Sequence, residues 1–232
     1  IAFLFSLLTI SCASNPFTGK KTMALVPNST LLPMSFDQYD KFLNDNKVII
    51  GTNEAKMITR VGQRISVAAE RWLDANGFDG YLNKYKWEYT LVDDESVNAW
   101  CMPGGKIVFY TGILPVANNE TGVAAIMGHE VAHALANHGQ QRMSAAIIQQ
   151  AGAAGIAAVT NDKTAKEQEI WKKAYGVGTS VGGMLPFSRS HETEADKIGL
   201  YLMAIAGYNP EEASQLWVRM KANSGSKAPK EF

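Results

Sequence analysis

Between Glu120 and Ile148 apolar residues recur at helical spacing, at Val123, Ile126, Met127, Val131, Leu135, Met143 and Ile147, with no proline among them. That period predicts one long helix. A first helix is expected over Ser35–Val48, and a second is capped by Thr52 or Asn53, with Met57, Val61, Ile65, Ala68 and Trp72 on one face before Gly77. Lys86–Asp93 and Lys106–Thr111 are rich in β-branched and aromatic residues and read as strands. Between them, Asn98–Met102 followed by Pro103-Gly104-Gly105 suits an edge strand that reverses into Lys106. After a small-residue run, Ala151–Val159, comes a charged helix around Lys166–Tyr175, and four glycines over Gly176–Gly183 predict a flexible loop. Apolar positions Ile198, Leu200, Tyr201, Met203 and Ile205 mark a further helix ending at Gly207, and Asn209-Pro210 opens a last one through Leu216, Trp217 and Met220. The fold class this implies is α+β, mainly helical, with a small β-sheet.

The chain has 232 residues, 46% of them hydrophobic, enough for a sizeable core in one domain or at most two. Its 22 Lys and Arg balance 22 Asp and Glu, so there is no basic signature for nucleic acid. Ile1–Ile10 is almost wholly apolar, too short to span a bilayer but within the ~7–15 residues of a signal-peptide core. Small Ser11 and then Cys12 follow it, similar to the lipobox of bacterial lipoproteins, where the cysteine is lipidated. The expected organisation is therefore a signal-peptide and lipobox segment (1–12), an extended tether (13–34) and one folded domain (35–232). A chain so built sits in a bacterial cell envelope, periplasm-facing and held to the membrane by lipid on Cys12. Cys101 is then left without a disulfide partner.

Within the long helix lies Gly128-His129-Glu130-Val131-Ala132-His133. His129 and His133 stand one turn apart on one face, where two imidazoles can share a metal ion. Glu130 is rotated by roughly 100° from His129, so its carboxylate flanks that ion. About sixty residues later, Glu192 and Asp196 again share a face. Glu192 would complete a His, His, Glu set that leaves a fourth position for water, and Asp196 could accept the N–H from the far side of a ligand imidazole. Glu194 points to another face and is expected in solvent, while Arg189 and His191 either contact substrate or cap local structure. Two histidines on an ordinary half-buried helix are the alternative for the first motif taken alone.

Taken together, H-E-x-x-H, the later S-R-x-x-E-x-E-A-D-x-x-G and the upstream N-A-x-x-x-P-G-G-x-I resemble the gluzincin zinc metallopeptidase family of HtpX and the CAAX prenyl endopeptidase, in its soluble periplasmic lipoprotein type. The resemblance covers roughly residues 35–220. It implies one Zn2+ per chain on His129, His133 and Glu192, with Glu130 as general base and Asp196 behind the ligands. It also implies a substrate-binding edge at Asn98, Ala99, Trp100, Cys101 and Met102, making residues 35–232 a catalytic domain whose H-E-x-x-H and E-x-x-x-D helices pack with the sheet. The expected activity is zinc-dependent endopeptidase action on protein or peptide substrates, misfolded envelope proteins among them. The rival is a membrane-tethered chaperone or assembly factor whose zinc site is latched or silent.

Overall fold

A computed structural model describes residues 12–179 and 184–223. Of the expected signal-peptide and lipobox segment, residues 1–12, only Cys12 lies among them. In chain order the elements are β1 (Cys12–Ser14), β2 (Lys21–Met23), α1 (Asn28–Asp45), β3 (Val48–Ile49), α2 (Asn53–Ala75), β4 (Glu88–Val92), β5 (Ala99–Met102), β6 (Lys106–Tyr110), the short α3 (Leu114–Ala117), α4 (Glu120–Leu135), α5 (His138–Val159), α6 (Ala165–Thr179), α7 (Leu185–Ile205) and α8 (Glu212–Asn223). The molecule is mainly helical with a small mixed sheet, as the hydrophobic pattern implies.

The sheet runs β3-β4-β6-β5, with β4 and β6 parallel and β5 antiparallel to β6. Gly104 and Gly105, at φ of 88° and 87°, make the reversal between β5 and β6. Alternation along the strands divides the side chains between two cores. Leu91, Ala99, Ile107 and Phe109 face the main core with α2 and α4, while Val92, Val108, Trp100 and Met102 pack with Tyr39 and Phe42 of α1 on the other face. Among the described residues no strand pairs with the outer side of β5, so it is an edge.

Three elements depart from the sequence expectation. The supposed tether is part of the fold: β1 pairs with β2, Asn15 is buried, the Phe17 ring stacks on Trp72, and α1 begins at Asn28, seven residues before Ser35. Proline-rich composition suggested an extended chain, but Pro27 occupies the N-cap, and Pro33, early in α1, forgoes only one backbone hydrogen bond. The single helix expected over Glu120–Ile148 is two, because Asn137 takes the left-handed conformation (φ 58°), which asparagine tolerates. Buried polar groups cap the break: Tyr81 and Tyr85 hydroxyls donate to the carbonyls of Leu135 and Ala134, and Gln141 Nε2 donates to that of Ala136. Finally, α6 continues through Gly176 and Gly178 to Thr179, so the expected glycine loop is helical there, and its residues 180–183 lie outside the described set.

Candidate metal centre

Asn119 starts α4, its side chain accepting from the Gly122 N–H at 2.8 Å. From Gly122 to Leu135 the helix is buried on every side, and His129, Glu130 and His133 are the only polar side chains in that stretch. Buried polar groups need partners. They come chiefly from α7, which runs antiparallel to α4 and meets it at two glycines. A β-carbon at Gly199 would lie 2.9 Å from the His129 backbone nitrogen, and one at Gly128 would lie 2.9 Å from the Gly199 carbonyl oxygen. Only glycine allows this approach. One and two turns before Gly199, Asp196 and Glu192 are thereby brought alongside the histidines.

His129 Nε2 lies 3.3 Å from Glu192 Oε2, His133 Nε2 lies 3.5 Å from Glu192 Oε1, and the two Nε2 atoms are 3.0 Å apart. One ligand atom from each of the three residues falls within 4.8 Å of the others. On the far side of the ring, His129 Nδ1 is 2.9 Å from Asp196 Oδ1. Burial disfavours charge on His129, but the hydrogen bond with Asp196 and the Glu192 carboxylate 3.3 Å from Nε2 outweigh it and raise its pKa to about 10. Burial likewise opposes charge on Glu192, yet both histidines hold its carboxyl far below the usual range.

This donor set fits a cation. A cation that displaced the Nε2 proton would leave His129 neutral, its Nδ1–H still donating to Asp196 and its Nε2 lone pair facing the ion, beside a second imidazole nitrogen and a carboxylate. Glu192 Oε2 is buried with no hydrogen-bond partner, an atom whose desolvation an ion would offset. Two imidazoles and one carboxylate are a donor set that zinc takes in hydrolytic sites, where water is the fourth ligand.

Glu130 is 7% exposed and turns toward the sheet, where its charge, after burial, helps push the Cys101 thiol well above its usual pKa. The helix carrying the histidines therefore packs against β5. In that strand Tyr110 N–H donates to the Asn98 carbonyl, which fixes the alternation of the ladder. Asn98, Trp100 and Met102 bond toward β6, and the backbone groups of Ala99 and Cys101 point to the open edge.

Sequence reasoning misplaced Glu194 and missed His138. Glu194 is no solvated residue: its side chain is 11% exposed and lies 2.9 Å from His138 Nε2. His138 lies five residues after His133, a spacing that places nothing on the same face of a continuous helix. The break at Asn137 brings it round until its Nδ1 is 2.8 Å from His133 Nδ1. Burial, with His191, His133 and Arg142 nearby, lowers its pKa to about 2 and keeps it neutral. Asn137, a residue type that can end a helix in the left-handed conformation, was the available signal. His191 is buried, stacked on His138 with centroids 4.0 Å apart and bonded to Gln141, while Arg189 is exposed.

Against known proteins, residues 60–231 match the model of peptidase family M48. The chain is 36% identical to the mitochondrial metalloendopeptidase OMA1 of Schizosaccharomyces pombe over 149 residues, 62% of this chain and 40% of that protein. It is 30% identical to the protein of the same name from Arabidopsis thaliana over 202 residues, 85% of this chain and 35% of that one. With the beta-barrel assembly-enhancing protease of Escherichia coli it shares 27% identity over 133 residues, 55% of this chain and 27% of that protein. The chain thus spans less than half the length of these relatives. The family model covers well over half of the chain itself, and the chain belongs to peptidase family M48.

Proposed function

We propose that the chain is a zinc-dependent endopeptidase, with one zinc ion on His129, His133 and Glu192. The observation that carries this reading is the buried meeting of two imidazole nitrogens with a Glu192 oxygen that has no hydrogen bond, one residue from a buried carboxylate at Glu130. When bound, zinc supplies the Lewis acidity that brings the pKa of water from ~15.7 toward ~7 and stabilises the charge developing on the scissile carbonyl. Glu130 takes the proton of the attacking water and returns it to the leaving amine. Asp196 holds the Nδ1 proton of His129 and so keeps its Nε2 available. An extended substrate lies along the β5 edge, pairing with the outward backbone groups of Ala99 and Cys101. Asn98, Trp100 and Met102 build the same strand from its inner side.

Family membership supports protein or peptide substrates. In the fuller reading, which the apolar Ile1–Ile10 and Cys12 support, the chain is held by lipid at a bacterial cell envelope and its substrates are misfolded envelope proteins. The resemblance to a beta-barrel assembly-enhancing protease supports that setting. No helix among the described residues is long and apolar enough to cross a membrane.

Glu130→Gln tests the mechanism. The variant should keep one zinc per chain and lose about 10²–10⁴-fold in cleavage of unfolded casein. Equal cleavage by wild type and variant contradicts the role of Glu130. Cleavage by neither, with client binding retained, supports the chaperone or assembly-factor alternative.

A further inference from the structure

Glu192, Glu194 and Asp196 place three carboxylates in five residues of α7. Glu192 and Asp196 meet the histidines of α4 directly, whereas Glu194 faces away from that helix and ends on the same site by another route. Its Oε2 lies 2.9 Å from His138 Nε2, and His138 Nδ1 lies 2.8 Å from His133 Nδ1. His138 has no exposed surface. Glu194 in turn accepts from Asn15 Nδ2 at 2.9 Å and from Lys20 Nζ at 3.4 Å. Asn15 is 1% exposed, and its own Oδ1 accepts from the Phe17 N–H at 2.9 Å.

Donor and acceptor chemistry fixes the protons along this line. An ionised carboxylate only accepts, so His138 donates from Nε2 to Glu194. A neutral imidazole carries one N–H, which leaves His138 Nδ1 as an acceptor for the Nδ1 proton of His133. His133 Nε2 then bears a lone pair, on the side of His129 and Glu192. The opposite tautomer of His138 would force the His133 proton onto Nε2, into the space where a cation belongs. We propose that Glu194 and His138 are positioning residues that set the tautomer of His133 for zinc, with the Asn15–Lys20 segment holding Glu194 in place. Asp196 does in one step for His129 what Glu194 does in two for His133. This inference rests on the zinc reading above.

Two measurements test it. In the zinc-loaded wild-type chain, nitrogen-15 NMR of the histidines should find His138 protonated at Nε2 and bare at Nδ1. This needs no variant, and a proton on His138 Nδ1 overturns the relay. Glu194→Gln replaces the carboxylate with an amide that can donate to His138 Nε2 and reverse the line. Zinc affinity, read by competition with a chelating indicator, should fall about 10–100-fold. Melting of the two metal-free proteins separates that loss from a failure to fold. Wild-type affinity in the folded variant overturns the relay and leaves the zinc reading intact, whereas a wild-type chain that takes up no zinc overturns the reading itself.

Discussion

His129 meets two carboxylates of α7, Asp196 at Nδ1 and Glu192 at Nε2, and this pairing is what makes a histidine tolerable in a fully packed helix. A different carboxylate secures the entrance of the same helix. Glu120, in its first turn, accepts from Arg60 Nη2 at 2.6 Å and from the Tyr208 hydroxyl at 2.9 Å. The Arg60 hydrogen bond, aided by Tyr208, lowers the Glu120 pKa. A carboxyl whose folded pKa lies below its unfolded value of ~4.3 contributes stability that is full above that pH and is lost as the pH falls through the folded value. Glu120→Gln should therefore be less stable than wild type at pH 7, by about 1 kcal/mol, and the gap should close below pH ~4. Urea denaturation at the two pH values measures it. A constant gap would show that charge on Glu120 is not its source.

At the scale of elements, the contact of α4 with α7 sets the site. Because a Gly199 β-carbon would meet the backbone of α4 rather than a flexible side chain, Gly199→Ala has to move the helices apart. We expect a loss of about 1–3 kcal/mol in stability together with weaker zinc binding, since His129 and Glu192 separate by the same movement. Chemical denaturation and zinc titration of one preparation test both parts. Full stability with wild-type affinity would mean that the glycine contact does not position the ligands.

These elements also show what the sequence could convey. Local periodicity placed His129 with His133 and Glu192 with Asp196, because each pair is one turn apart on its own helix. It also placed β5 and its glycine reversal beside β6. The parallel pairing of β4 with β6 depends on partners distant in sequence, and no local period encodes it. The break at Asn137 was hidden by apolar positions that continue in register on either side. Glu194 looked solvated because its partners, Asn15 and His138, belong to a segment read as tether and to a helix that does not continue straight.

For the whole molecule, the main core joins the sheet to α2, α4, α7 and α8, and the candidate metal centre lies where α4 and α7 cross beside the β5 edge. The N-terminal segment closes over α7 through Asn15, Lys20 and Phe17. The folded unit therefore takes in residues well before Ser35. X-ray absorption at the zinc edge of the purified chain tests the central claim most directly. It should find one zinc per chain in four-coordinate nitrogen and oxygen surroundings, with two imidazoles at ~2.0–2.1 Å, and lose that signature in Glu192→Ala. A sulfur neighbour at ~2.3 Å, or an unchanged signature in Glu192→Ala, would contradict the His129, His133 and Glu192 site.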